Sequence, residues 1–173
     1  MQRASAFHWE SADVDLHLRE ATPADAEGVA RVYVESWNAG FTDLMPPRVL
    51  NAAQIARWSR DLDAELVRWW LAESGESVVG FVGTGPSRDP VDPDLGEVDT
   101  IAVAPSAWRR GVGRRLMDAA LADLRGGGYG QAILWTLADY ERARTFYEAT
   151  GWHPSGEVRD SGREIAFRRV LVG

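Results

Sequence analysis

The sequence contains neither cysteine nor lysine, and all 19 basic residues among its 173 are arginine. The absence of cysteine excludes disulfide bonds, cysteine-ligated zinc and every mechanism that uses a thiol nucleophile. The absence of lysine excludes Schiff-base chemistry, and with it the pyridoxal enzymes. It also removes the phosphate-loop lysine on which most nucleoside triphosphatases depend.

Positive charge and long apolar runs are scarce as well. The formal net charge is −7, which argues against a general nucleic-acid binder. No apolar run approaches the ~18 residues of a membrane-spanning helix. Residues 1–13 are predicted to be a polar leader without the apolar stretch of a secretory signal, so the expected location is the cytoplasm. Residues 14–173 fit one domain of ordinary size and composition.

Hydrophobic periodicity predicts the element order β-α-α-β-β-β-α-β-α-β-β. Residues 14–19 alternate apolar and polar as a half-buried strand does, and a second helix is predicted at about 48–60. Residues 67–84 read as a hairpin, and the last two strands flank the turn at 160–162. Residues 96–137 read as a strand, a helix and a strand, so those two strands should be parallel neighbours.

The strand–turn–helix junction at residues 101–117 is the segment that carries chemistry. The strand ends at Pro105, and the helix begins at Gly111 or Val112. Free backbone N–H groups and the helix dipole at such a start form an anion site, and Gly111 and Gly113 let a phosphate approach the backbone closely. The same turn adds the positive side chains Arg109, Arg110 and Arg114. The junction therefore predicts binding of a phosphate or pyrophosphate.

A dinucleotide fold does not explain these glycines. Its G-x-G-x-x-G fingerprint needs a third glycine where this chain has Leu116. A second pair, Gly83 and Gly85, is followed by Pro86 and by no helix. Nicotinamide and flavin dinucleotides are therefore not expected ligands.

Two motifs resemble those of the GCN5-related N-acetyltransferases, which move an acetyl group from acetyl-CoA to an amine. Residues 108–113 read Trp-Arg-Arg-Gly-Val-Gly, similar to the family signature Q/R-x-x-G-x-G/A, with Trp108 in place of Gln or Arg. Residues 140–152 resemble N-x-x-A-x-x-F-Y-E-x-x-G-F, with Tyr140 in place of Asn. The resemblance extends over residues 14–171, nearly the whole chain.

The resemblance implies a mixed α/β fold. Its central sheet would have about seven mostly antiparallel strands, a splayed parallel pair at the centre and about four flanking helices. Acetyl-CoA would be the co-substrate, and no metal is implied. The cofactor-binding residues would be Ile101, Ala102, Val103, Arg109, Arg110, Gly111, Val112, Gly113, Arg114 and Tyr140. The loop amides would hold the pyrophosphate, and the strand end would pair with the pantetheine arm.

The resemblance also implies catalytic residues. Glu97 matches the general-base Glu of the histone-modifying branch, and Tyr147 matches the tyrosine that protonates the leaving thiolate. Asp99 lies two residues after Glu97, so strand periodicity places it on one face with Glu97 and Ile101. The base could be Glu97, Asp99 or a water chain. Because the chain has no cysteine, the expected route is direct attack by the amine in a ternary complex.

The acceptor is less constrained than the cofactor. Trp37, Phe41 and Met45 lie where the family builds its acceptor pocket, with Asp99 nearby, although the apolar three fit a core equally well. An acidic run is expected near the mouth of the cleft: Asp89, Asp92, Asp94, Glu97 and Asp99. It favours a cationic acceptor, a small amine or a peptide, but a solvated loop would carry the same residues. The aromatic residues would also suit a hydrophobic amine.

Two functions stay open on the sequence. The first is an N-acetyltransferase, and the second is a non-catalytic module that binds acyl-CoA as a sensor. Membrane and nucleic-acid partners are not expected. The resemblance to the family also makes a homodimer possible.

Overall fold

The computed structural model describes residues 15–88 and 92–171. Within them, seven strands form one sheet in the order β1-β2-β3-β4-β5-β7-β6. The strands are β1 (Leu16–Glu20), β2 (Arg68–Ser74), β3 (Ser77–Pro86), β4 (Leu95–Val103), β5 (Gln131–Leu137), β6 (His153–Arg159) and β7 (Glu164–Val170). The α-helices in the same residues are α1 (Ala26–Gly40), α2 (Ala52–Asp63), α3 (Val112–Gly126) and α4 (Glu141–Ala149). The leader predicted at residues 1–13 lies outside the described residues.

This architecture confirms the predicted fold class. Every neighbouring pair of strands is antiparallel except β4 and β5, which run parallel at the centre of the sheet. The crossover through α3 supplies that parallel pair, as the strand–helix–strand pattern predicted. Among the described residues, none of the helices combines the length and apolarity that crossing a bilayer requires.

The second helix begins later than predicted. The Asn51 side chain accepts a hydrogen bond from the Gln54 amide (2.9 Å), which caps α2 at Ala52. Arg48, the predicted first residue, is held in the preceding loop because its amide donates to Asn38 Oδ1 (2.8 Å). The prediction was four residues early since a side-chain cap, rather than the apolar pattern, sets the boundary.

The helices cover opposite faces of the sheet. On one face α1 and α2 bury a core that includes Val29, Trp58 and Phe81. On the other face α3 and α4 bury Leu116, Tyr147 and many other apolar side chains. Alternate residues of the central strands supply the two cores, as the period of two in a strand requires.

The parallel pair separates after three residue pairs. The β4–β5 register runs Leu95–Gln131, Gly96–Ala132 and Glu97–Ile133, and then stops. Beyond it β4 stays paired with β3 up to Val103, while β5 stays paired with β7 as far as Leu137. A wedge-shaped gap therefore opens in the middle of the sheet, as the resemblance implied.

A bulge lies where β4 leaves β5. On β3, Val82 pairs with Ile101 and Thr84 pairs with Val98, so Gly83 stands opposite both Asp99 and Thr100. The extra residue reverses which face each later side chain takes. Val98 before the bulge and Ile101 after it both pack in the α3 core. The predicted shared face of Glu97, Asp99 and Ile101 is therefore wrong, because Glu97 and Ile101 lie on opposite faces.

Candidate active site

Two cavities meet at the gap in the sheet. The first, here called the gap cavity, has a volume of about 430 Å³ and lies between residues 98–103 of β4 and 134–137 of β5. The second, the loop cavity, has a volume of about 550 Å³ and lies between the turn before α3 and the start of α4. Residues that line both are Ile101, Ala102, Val103, Trp108, Tyr140, Arg142, Ala143 and Tyr147. The two cavities are therefore adjacent and share these walls.

The turn before α3 presents backbone amides to the loop cavity. Gly111 caps the helix with a left-handed backbone (φ 77°), a conformation that glycine adopts without strain. Val112, which is 1% exposed, anchors the first turn of the helix in the core. Gly113 follows on the cavity wall, where a side chain would lie against Phe146 and Val103, two other residues of the same wall. The first amides of α3 have no partner within the helix, so this wall suits an anion.

The structure brings nearly all the predicted cofactor-binding residues together. Those on the loop-cavity wall are Ile101, Ala102, Val103, Arg109, Gly111, Val112, Gly113, Arg114 and Tyr140. Arg110 is exposed and lines neither cavity. The charge of Arg110 can contribute to the local potential, but its side chain is not part of either wall.

Trp108 and Arg142 form a stack at the boundary of the two cavities. The Trp108 indole N–H donates to the Val103 carbonyl at the end of β4 (2.7 Å). The Arg142 guanidinium carbon lies 3.5 Å from the centre of the Trp108 ring, within the range of a cation–π contact. The sequence indicated Trp108 only as a departure from the family motif, and nothing in the motif pointed to Arg142.

Tyr147 lines both cavities from α4 and is only 8% exposed. Its ring packs against Phe146 and Phe167. Burial raises the pKa of the Tyr147 hydroxyl well above its ordinary value near 10. The hydroxyl therefore keeps its proton at neutral pH and can donate a hydrogen bond towards the gap.

Tyr140 lies at the start of α4, between the two cavities. Its ring contacts Phe41 (4.6 Å between ring centres), which joins α4 to the end of α1. Burial raises the pKa of Tyr140 too, so this second phenol is also a proton donor rather than an acceptor.

Glu97 and Asp99 share one arginine but have different surroundings. The Glu97 carboxylate accepts from the Arg88 amide (2.9 Å), Nε (3.0 Å) and Nη2 (2.5 Å), and the residue is 3% exposed. It lines neither cavity. Asp99 lines the gap cavity, at 3.5 Å from Arg88 Nη2, and accepts a hydrogen bond from the Thr100 hydroxyl (3.0 Å). Of the two carboxylates expected near the reacting atoms, the gap cavity holds Asp99.

The acidic run does not lie at the mouth of the gap. Asp94 accepts a hydrogen bond from the Gly130 amide (3.0 Å) and Asp92 accepts one from the Asp94 amide (3.0 Å). Both residues precede β4, at the end of the strand where it is still paired with β5. Asp89 lies outside the described residues. The expectation of an acidic mouth is therefore corrected, because within the described residues only Asp99 of this run lines the gap cavity.

The residues predicted for an acceptor pocket do meet in the gap cavity. Trp37, Phe41 and Met45 line it together with Asp99. The Trp37 indole N–H donates to the Pro46 carbonyl (2.9 Å), which holds the loop after α1 against the helix. Met45 Sδ lies 3.4 Å from Arg163 Nη2, so this loop touches the turn between β6 and β7.

Tyr33 and Trp135 also line the gap cavity, and the sequence analysis missed both. Tyr33 precedes Trp37 by four residues on α1, so helical spacing could have indicated it. Trp135 lies on β5, and its exposure to the gap follows from the parting of β4 and β5, which no local pattern reports. In residues 15–88 and 92–171, no group of three or more His, Asp and Glu side chains could hold a metal ion.

Comparison with known proteins identifies the class. A family description, Acetyltransferase (GNAT) family, matches residues 26–152. A protein named as a probable N-acetyltransferase of Mycobacterium tuberculosis is 29% identical over 155 residues, which cover 83% of each chain. A protein named as an uncharacterized N-acetyltransferase of Archaeoglobus fulgidus is 31% identical over 136 residues, covering 76% of this chain and 89% of that one. The fold and these similarities are thus those of an N-acetyltransferase.

The solved structures agree with the fold. The PaiA N-acetyltransferase of Thermoplasma acidophilum, in complex with coenzyme A, superposes with a TM-score of 0.68 at 15% identity and covers 90% of this chain and 98% of its own. The chain described here belongs to the GNAT family of N-acetyltransferases. The resemblance read from the two sequence motifs is confirmed.

The contact between Arg88 and Glu97 predicts a loss of stability on mutation. Arg88→Ala leaves a buried carboxylate without its main donors, so we expect unfolding free energy to fall by about 1–3 kcal/mol. The loss should stay below that of a fully buried pair, because the Arg88 side chain is 58% exposed. Urea denaturation measures the difference. Arg57→Ala is the control, since its pair with Asp61 is exposed on both sides and should cost at most ~0.5 kcal/mol. Equal effects of the two changes would contradict the structural role given to Arg88.

Proposed function

We propose that this N-acetyltransferase binds acetyl-CoA along the loop cavity and transfers the acetyl group directly to a primary amine in the gap cavity. The observation that carries the proposal is the pair of adjacent cavities at the parting of β4 and β5, with Asp99 on one side and Tyr147 at the junction. The acetyl group would cross the gap, since the two cavities share walls only there.

The residues on the loop-cavity wall suit coenzyme A. The amides at the start of α3 and the guanidinium groups of Arg109 and Arg114 offer donors and positive charge for a pyrophosphate. From Asp99 to Ala102, the edge of β4 that faces β5 has no strand beside it, so backbone groups on this edge can pair with the amides of an extended arm. The Val103 carbonyl beyond them already accepts the Trp108 indole N–H. When bound, acetyl-CoA supplies a thioester whose carbonyl carbon can be attacked by an amine.

Asp99 and Tyr147 supply the proton chemistry. An alkylamine with a pKa near ~10 is mostly protonated at neutral pH and must lose a proton before it attacks. Asp99, which lines the gap cavity, would accept that proton, directly or through one water. As the N–C bond forms and the C–S bond breaks, the nitrogen loses its second proton to the departing sulfur, which leaves as the thiol of coenzyme A. The Tyr147 hydroxyl would donate a hydrogen bond to that sulfur. Because the pKa of Tyr147 is raised, this hydrogen bond contributes more than full proton transfer.

Release of coenzyme A in the presence of an amine panel tests the proposal. Small amines, polyamines and short peptides are each incubated with acetyl-CoA, and thiol release is followed together with the mass of the product. We expect at least one amine to gain 42 Da at a rate far above thioester hydrolysis. Tight acetyl-CoA binding without transfer to any amine would favour the sensor function that the sequence left open.

The roles of the two carboxylates can be separated by isosteric changes. We expect Asp99→Asn to lower kcat/KM for the best amine by about 10²-fold or more, because the proton acceptor is lost. Glu97→Gln serves as the matched control, since it lies two residues away beside the same Arg88 and outside both cavities. Steady-state kinetics measure kcat/KM for the two variants. A larger loss for Glu97→Gln than for Asp99→Asn would identify Glu97 as the general base instead.

Gly113, the second residue of α3, offers a test of cofactor binding at the loop cavity. A methyl group on Gly113 meets Phe146 and Val103 at ordinary contact distances of 3.4 Å and 3.7 Å, so the fold should accept it. That methyl group would occupy the space next to the backbone amides. We expect Gly113→Ala to weaken acetyl-CoA binding by about tenfold or more without lowering the unfolding temperature. Isothermal titration checks the affinity, with Gly126→Ala in the same helix as control, where the added methyl meets open space.

The buried hydroxyl of Tyr147 leads to two predictions, one for the Tyr147→Phe variant and one for the pH dependence of kcat/KM. Tyr147→Phe should lower kcat by about 10- to 100-fold with little change in acetyl-CoA affinity, because only the hydrogen bond to the leaving sulfur is lost. Since its raised pKa keeps Tyr147 protonated, the wild-type kcat/KM should rise with pH as the amine or its base loses a proton, and it should show no descending limb up to about pH 10. Tyr129→Phe is the control, because Tyr129 lines neither cavity. A descending limb between about pH 8 and 10 that disappears in Tyr147→Phe would contradict this assignment.

A further inference from the structure

One side of the gap cavity is a continuous aromatic wall. Tyr33, Trp37 and Phe41 follow one another at intervals of four residues along α1 and its C-cap, so they lie on one stripe of the helix. Their ring centres are 5.9 Å and 4.7 Å apart, and Tyr140 continues the series at 4.6 Å from Phe41. All four line the gap cavity. We call this set the aromatic wall.

The aromatic wall adjoins the core behind it, since the Tyr33 ring centre lies 5.3 Å from that of Trp58, which is 2% exposed. The rings of the aromatic wall are only partly buried, and they line a space of about 430 Å³. The Arg48 guanidinium covers one face of the Trp37 ring, at 3.9 Å from its centre. Trp135 lines the same space from β5. Aromatic side chains on two sides of a cavity suit a flat apolar group, since stacked and edge-to-face rings attract beyond simple burial.

Charge around the gap cavity is paired except near Asp99 and at Arg142, which has no acidic partner among the described residues. Arg159 is paired with Glu164 (2.5 Å), and Arg163 with Asp160 (3.5 Å). The charged residues on the wall are Asp99, Arg142, Arg159, Asp160, Arg163 and Glu164. Arg142 is stacked on Trp108 at the boundary with the loop cavity.

The cluster around Asp99 carries one excess negative charge. Its two carboxylates, Glu97 and Asp99, share the single guanidinium of Arg88. An ammonium group would be attracted to this end of the gap cavity, and a carboxylate beside that ammonium would be repelled. Two of the arginines near the aromatic wall, Arg159 and Arg163, already have acidic partners, whereas Arg48, which is stacked on Trp37, has none among the described residues. A carboxylate next to the nitrogen is therefore disfavoured by the cluster around Asp99 and not by these arginines.

We propose that the acceptor is a primary amine joined by a short aliphatic link to a flat aromatic ring, with no carboxylate next to the nitrogen. The inference rests on the proposed function and names the substrate class of that same site. The ammonium group would point to Asp99, and the ring would lie against the aromatic wall. Both a free arylalkylamine and the N-terminus of a polypeptide with an aromatic first residue share this chemistry.

Competing amines at equal concentration test the inference. The probes are 2-phenylethylamine, n-hexylamine, phenylalanine, spermidine and a C-terminally amidated tripeptide that begins with phenylalanine. We expect kcat/KM for 2-phenylethylamine or for the tripeptide to exceed that for hexylamine by at least fivefold, since a ring contact gains up to about tenfold beyond burial. Phenylalanine and spermidine should be at least tenfold poorer than the better of the two. Which of the two favoured probes is faster tells a small-molecule source from a polypeptide source.

A variant of the aromatic wall links the preference to the cavity. Phe41→Leu keeps apolar volume but removes a ring, so the ratio of kcat/KM for 2-phenylethylamine over hexylamine should fall by at least threefold. Trp70→Leu is the matched control, because it also replaces a half-buried ring with leucine but lies outside both cavities. Its ratio should stay within twofold of the wild type.

The outcomes separate this inference from the function on which it rests. Faster turnover of spermidine, hexylamine or phenylalanine than of both aromatic probes would overturn the inference and leave the acetyltransferase intact. An unchanged ratio in Phe41→Leu would also overturn it. If acetyl-CoA binds by isothermal titration but none of the amines releases coenzyme A, the proposed function and the inference fail together.

Discussion

The parallel pairing between β4 and β5 ends after three residue pairs, and everything at the site depends on that early end. Each strand keeps its other neighbour, so the sheet loses no stability elsewhere while its centre opens. The bulge opposite Gly83 turns β4 away at the same point and changes which side chains it presents. Had the two strands stayed paired to their ends, the backbone edge of β4 would be occupied and the cavities would not meet.

The two acidic residues near the middle of β4 differ in their burial and in their surroundings. Glu97 lies inside the sheet and is tied to Arg88 by three hydrogen bonds, so its carboxylate works as part of the frame. Asp99 is only two residues further, but the bulge and the parting of the strands place it on a cavity wall. Tyr147 is separated from water by the apolar packing of α4, which keeps its proton in place. Neighbouring residues of similar chemistry thus differ in what they can do because their surroundings differ.

Short-range sequence patterns correctly predicted the features that depend only on residues close together in the chain. The order of helices and strands, the glycine turn before α3 and the position of Tyr147 were all readable, since each depends on short-range periodicity or on one motif. The bulge was not readable: one extra residue reverses the alternation, so Ile101 was placed on the wrong face. The partner of Glu97 was not readable either, because Arg88 reaches it from outside β4. Trp135 became part of the site only through the separation of two strands.

The gap opens on both faces of the sheet. One mouth lies beside α1 and the turn between β6 and β7, and the other lies between α3 and α4. Two ligands that come from opposite sides do not block each other's passage. In the proposed ternary complex the fold itself would therefore impose no order of arrival or departure, and any kinetic order would come from motions or from one ligand improving the binding of the other.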